Sequence, residues 1–171
     1  MKKIITPLLL FGSIFFASAQ YKSEVKLNVL NTIAIASVEV GYEFFLDDNQ
    51  SIGAEVHIND RFSYADENDR KEFDTNSVLV NYNYYFNPEN AGTFYAYPFV
   101  KYRFGEHKDE VKGNTDMDSF ILGLGVGYKW AWNDKFAIGP YASIARNFNE
   151  DVSDRFSAIE ANAGISVGYR F

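Results

Sequence analysis

Cysteine is absent from all 171 residues, which excludes disulfides, thiol catalysis, thiolate metal sites and a lipid-modified N-terminal cysteine. Long apolar runs are missing as well. No stretch approaches the roughly 18 apolar residues that a membrane-spanning helix needs, so any bilayer insertion beyond the N-terminal leader has to be as a closed barrel. Positive charge is scarce, with 16 Lys and Arg against 23 Asp and Glu and a net charge of -7. No basic patch is available to neutralise phosphates, so nucleic acid is not an expected partner. Histidine occurs only at His57 and His107, which leaves few candidates for a general base. Aromatics, by contrast, are plentiful: 16 Phe and 12 Tyr make acidity a poor argument for disorder.

The first nineteen residues form a unit of their own. Lys2 and Lys3 precede the apolar run from Ile4 to Phe16, and Ala17-Ser18-Ala19 precedes Gln20. This pattern predicts a secretory signal peptide over 1–19, cleaved after Ala19, and a single domain over 20–171. Loss of Lys2 and Lys3 takes the net charge from -7 to -9.

From Gln20 onward the chain alternates with the period of a β-strand. The clearest segment is Ala158 to Phe171, in which Ile159, Ala161, Ala163, Ile165, Val167, Tyr169 and Phe171 share one face. Glu160, Asn162, Gly164, Ser166, Gly168 and Arg170 share the other. Seven more segments are predicted: Glu24 to Leu30, Ser37 to Phe44, Ser51 to Ile58, Ser77 to Phe86, Phe94 to Phe104, Phe120 to Trp130 and Phe136 to Ala145. Pro98 and Pro140 fall inside two of them, and at Pro98 a bulge or local irregularity is expected, because Pro cannot donate to the ladder. Short turns lie at Asp47-Asp48-Asn49, Asn87-Pro88-Glu89-Asn90 and Trp132-Asn133-Asp134-Lys135. Longer polar connections span Asn59 to Thr75, Gly105 to Ser119 and Arg146 to Arg155. If both termini are periplasmic, every short turn falls on that side and the longer loops fall outside, an asymmetry typical of outer-membrane barrels. The connection at Asn31 to Ile35 is the one outer loop that is short.

The pattern therefore predicts an all-β fold: an eight-stranded, antiparallel, up-and-down transmembrane barrel with lipid on its apolar face. The other face of the strands collects Glu24, Lys26, Glu39, Glu43, Glu55, His57, Lys101, Arg103, Lys129, Glu160 and Arg170. An eight-stranded barrel has a lumen about filled by side chains, so these groups are expected to form a paired, hydrogen-bonded network that closes the interior. The glycines at 123, 125 and 127 fit places where long inward side chains need room. Aromatics near the expected periplasmic strand ends, among them Phe44, Tyr84, Phe86, Tyr128, Trp130, Phe136, Tyr169 and Phe171, form a lower girdle. Phe62, Tyr64, Phe73, Phe104, Phe120, Phe148 and Phe156 lie near the outer ends.

The leader, the eight alternating segments, the loop asymmetry and the terminal Val167-Gly168-Tyr169-Arg170-Phe171 together resemble the small outer-membrane β-barrels of Gram-negative bacteria. These include the OmpA/OmpX-type barrels and the OmpW-like and uncharacterised Bacteroidetes barrel families. The resemblance covers residues 20 to 171. It implies that Val167, Tyr169 and Phe171 form the signal recognised by the barrel assembly machinery, and that the surroundings are outer-membrane lipid and lipopolysaccharide.

The function expected on this basis is structural, or lies in the outer loops through a surface partner. The loop acids include Asp66, Glu67 and Asp69, whose oxygens suit a hard cation, but Asp66-Glu67-Asn68-Asp69 lacks the spacing of a defined calcium loop; no metal or cofactor is assigned. No catalytic residue is assigned either. His57 sits beside Glu55, yet spacing positions no serine against it, and His107 lies in a charged loop. The alternative is a soluble lipocalin-like barrel around a small apolar ligand, which turns the apolar face inward.

Overall fold

The computed structural model describes residues 23–60, 73–88, 92–108, 114–133 and 135–171. The expected signal peptide, Phe62, Tyr64 and the Asp66–Asp69 run lie outside them.

Alternating apolar and polar side chains settle into strands β1 (Ser23–Asn28), β2 (Val38–Phe45), β3 (Gln50–Ile58), β4 (Phe73–Tyr85) and β5 (Gly92–His107). After the two-residue β6 (Thr115–Asp116) come β7 (Ser119–Trp132), β8 (Phe136–Asn147) and β9 (Ile159–Arg170). Helix α1 (Val29–Ile35) joins β1 to β2, and α2 (Glu150–Arg155) joins β8 to β9. All strands pair antiparallel, each long strand with its neighbours in sequence, and β1 pairs with β9 to close the ring. β6 stands apart from the wall and, among the described residues, pairs with Glu106 and His107 at the end of β5. The fold is thus a closed eight-strand antiparallel barrel, sealed at its last residue where Ser23 and Phe171 exchange backbone hydrogen bonds of 3.2 and 2.9 Å.

Closure removes the edges that an open sheet exposes, and period 2 then decides which side chains point where. Val25, Leu27, Val40, Val80, Leu122, Leu124, Val126 and Ile144 point outward and are exposed, while Glu24 on β1, Glu39 and Glu43 on β2 and Lys129 on β7 are buried. Leu124 and Val126 are each 56 % exposed, as lipid-facing residues are and core residues are not. This facing is the reverse of what a soluble barrel around an apolar ligand needs, so the lipocalin-like alternative is overturned. Aromatic pairs ring the end that carries the termini: Tyr128 with Trp130 at 4.5 Å, Phe94 with Tyr128 at 4.6 Å and Phe136 with Tyr169 at 5.3 Å between centroids.

Several details differ from the sequence expectation. The first strand ends at Asn28 rather than Leu30, because the Asn28 side chain accepts from Asn31 N at 3.1 Å and starts α1 in the expected loop. β4 begins at Phe73 and β5 runs on to His107, so the ladder extends into both polar connections. Opposite Pro98 the β4–β5 ladder skips from Asn81↔Phe99 to Tyr84↔Ala96, with the register unchanged on either side. The irregularity is a gap and not a bulge. Pro140 lies in a similar gap, between Gly127↔Tyr141 and Trp130↔Ile138. Phe156, expected near the outer ends, packs there against buried Met117 and Val152 in a small cluster above the barrel.

Candidate functional site: the charged interior

Two ion clusters, a Lys26–Glu55–His57 group between them and one carboxylate held by neutral donors occupy the interior, and cross-strand register explains how each assembles. Near the termini, Lys129 on β7 reaches across to Glu24 Oε1 at 2.9 Å, Glu43 Oε2 at 3.0 Å and Tyr85 OH at 2.9 Å. Arg170 Nε donates to the other oxygen of Glu24 at 2.8 Å. Glu43 also accepts from Ser51 Oγ at 2.5 Å and from the Tyr85 hydroxyl. Lys129 is further flanked by the rings of Phe45, Tyr85 and Tyr95 at 5.2–5.8 Å, a cation–π floor for the cluster. Such a buried charge is tolerable only when paired and hydrogen-bonded on every side, and here it is.

At the far end Arg103, only 1 % exposed, makes a bidentate pair with Glu160 through Nη1 and Nη2 at 2.8 and 2.7 Å. Its Nε donates to Asp60 Oδ2 at 3.0 Å, which Lys101 Nζ also contacts at 3.0 Å. Asn147 donates to Glu160 Oε1 at 3.0 Å. Asp60 lies beyond the end of β3: burial alone raises its carboxyl, but the Arg103 and Lys101 charges hold it well below the usual carboxylate range. Between the clusters, Lys26 pairs with Glu55 at 2.7 Å, and His57 Nε2 lies 3.3 Å from Glu55 and its Nδ1 3.9 Å from Asp60.

Glu39 is different. It is 6 % exposed, yet its hydrogen-bond donors are all neutral: Asn28 Nδ2, Asn31 Nδ2 and Tyr141 OH, each at 2.7 Å. It borders a cavity of about 60 Å³, also lined by Lys26, Glu55, His57, Asn81 and Tyr97. That volume has room for roughly four water molecules.

The structure thus places Glu24, Lys26, Glu39, Glu43, Glu55, His57, Lys101, Arg103, Lys129, Glu160 and Arg170 on the interior side of the wall, and brings all of them except Glu39 into ion-pair contact. Sequence reasoning missed Asp60, which falls in the polar connection from Asn59 to Thr75, because no strand period marks a residue beyond a strand end. It also missed Tyr141, whose inward position follows from parity along β8, and Asn28 and Asn31, whose roles depend on α1. His107 and Phe156 rings meet edge to face at 5.2 Å, which places His107 against the outer apolar cluster. Val167, Tyr169 and Phe171 all face outward, with Phe171 6.4 Å from Tyr42 and Tyr169 beside Phe136.

The sequence profile of the outer membrane protein β-barrel domain matches residues 10–171. Among solved structures, the N-terminal β-barrel domain of Pseudomonas aeruginosa OprF is similar with a TM-score of 0.64 at 13 % identity, covering 88 % of this chain and 96 % of that one. Neisserial surface protein A is similar with a TM-score of 0.48 at 12 % identity, over 87 % of this chain and 92 % of its own. Ail of Yersinia pestis in a phospholipid nanodisc gives 0.48 at 14 % identity, over 89 % and 100 %. No curated protein matches the chain by sequence.

Proposed function

The chain belongs to the family of outer membrane protein β-barrel domains, and from that premise we propose that it is a small integral outer-membrane protein whose interior is closed by ion pairs and whose role is structural or exercised through its outer connections. The observation that carries the reading is the pairing of charges across the barrel, with Lys129 holding Glu24 and Glu43 and Arg103 holding Glu160. Paired groups of this kind brace the wall from within and resist ion flow, whereas an aqueous channel needs a wider ring of strands.

In this reading residues 1–19 direct export and are removed, and both termini face the periplasm with the tight turns near Asp47 and Asn133. The outward Val167, Tyr169 and Phe171 are the assembly signal, and the longer connections meet lipopolysaccharide and any surface partner.

Fractionation of cells expressing the full chain, followed by electrophoresis of unboiled and boiled samples, tests the proposal. Recovery in the outer membrane with a mobility change on boiling is the expected result. Recovery in the soluble periplasm overturns it. Reconstitution in planar bilayers tests the closed interior, which is expected to show no sustained open-pore conductance.

A further inference from the structure

Helix α1 stands where the barrel wall is lowest. β1 has 6 residues and β2 has 8, both short of the roughly 9–11 that a strand needs to cross a bilayer, whereas β5 has 16 and β9 has 12. β9 pairs with β1 only from Ser166 to Arg170. Its upper half, from Ile159 to Ile165, has α1 beside it instead.

The height of α1 is fixed by Asn31, whose Nδ2 donates to Asn162 Oδ1 on β9 at 2.8 Å. At that level the outward residues of β9 are Ile159, Ala161 and Ala163, all exposed, and on β8 the residue opposite Ala161 is the exposed Ile144. On the other flank Ile58, opposite Val38, is exposed as well. The apolar belt therefore passes α1 on both sides. The helix continues it: Leu30, Ile33 and Ala34, at helical spacing, are exposed, while Asn31 turns inward to Glu39. Ile33, at 79 %, is the most exposed large apolar side chain among the described residues.

We propose that α1 is a membrane-embedded panel of the barrel wall, its Leu30, Ile33 and Ala34 face in contact with the acyl chains of the leaflet opposite the termini. The inference rests on the transmembrane reading above. Hydrocarbon does not satisfy exposed backbone groups, so a chain segment at this depth has to bond its own. α1 does so: Asn28 Oδ1 accepts from Asn31 N, Thr32 Oγ1 donates to Asn28 O at 2.6 Å, and the N–H groups of Ala36 and Ser37 both donate to Asn31 O. Asn59 Nδ2 donates to the Ala36 carbonyl at 3.0 Å, covering the helix end. An extended loop of equal length leaves those groups facing lipid. The panel also stands between lipid and Glu39, whose carboxylate is covered by the Asn28 and Asn31 amides.

Because the chain has no cysteine, a nitroxide label can be placed at one introduced thiol without background. The protein is labelled at Ile33→Cys, with Val167→Cys on β9 as the lipid-facing reference and Asp151→Cys on α2 as the aqueous one, and reconstituted in phosphatidylcholine vesicles. Collision rates with oxygen and with a nickel chelate are then compared. The expected result is an oxygen-to-nickel ratio at Ile33 matching that at Val167 and several-fold above that at Asp151. A ratio at Ile33 equal to that at Asp151, with Val167 still favouring oxygen, overturns the proposal and leaves the transmembrane reading intact. A nickel-favouring Val167 overturns both. Should Ile33→Cys not give the heat-modifiable form, Leu30→Cys reads the same face with the same two outcomes.

Discussion

At the scale of single residues, the interior is governed by whether a charge keeps its partner. Glu160→Ala removes the bidentate acceptor of Arg103, a side chain that stays buried between Asp60 and Asn147's neighbourhood on β8. Stranding a buried charge in this way costs about 3–5 kcal/mol, so the urea midpoint of the folded barrel is expected to fall markedly; an unchanged midpoint places Glu160 in water. Glu39 offers a contrast, because its carboxylate is held by neutral donors alone. Tyr141→Phe takes one of those donors away and is expected to cost about 1.5–3 kcal/mol, read from the same unfolding curves.

At the scale of elements, β5 and β7 fit each other through size. Tyr95, Tyr97 and Phe99 point into the barrel directly opposite Gly127, Gly125 and Gly123, and their rings stack along β5 at 5.6–5.9 Å. A Cβ at Gly125 falls 2.1 Å from Tyr97 Cζ, so the ring lies on bare backbone. Gly125→Val is therefore expected to destabilise by about 1–3 kcal/mol or to block folding, and Tyr97→Ala in the same chain to restore the heat-modifiable form. Failure of that second change to rescue contradicts the size matching of the two strands. Prolines act on the same scale: Pro98 and Pro140 each open a gap in one ladder, and the unbroken β5–β7 and β8–β9 ladders beside them keep the register.

For the whole molecule the decisive quantity is which face meets lipid. Leu124 lies mid-belt on β7, opposite Pro98 on one side and Ile144 on the other. Leu124→Arg is expected to cost about 2–4 kcal/mol, read as loss of the heat-modifiable band in refolding into lipid vesicles, and normal refolding contradicts the facing. The same belt defines the lower girdle, where Tyr84 and Phe86 meet edge to face at 5.3 Å.

The alternation of Ile159 to Phe171, repeated in seven other segments, was enough by itself to determine strand number and facing, and with them which of the strands' own charges point inward. Period 2 in a closed ring leaves a side chain only two directions, so a sequence that alternates carries the facing within it. It did not determine which charge meets which. Lys129 finds Glu24 across 105 residues and Arg103 finds Glu160 across 57, distances that only ring closure and register shorten. Nor did it reveal that Asp60 folds back from its loop onto Arg103, or that Val29 to Ile35 coils into a helix. Those outcomes were decided by the tertiary structure, because each depends on a buried partner supplied from another strand: Arg103 for Asp60, and Asn162 and Glu39 for Asn31.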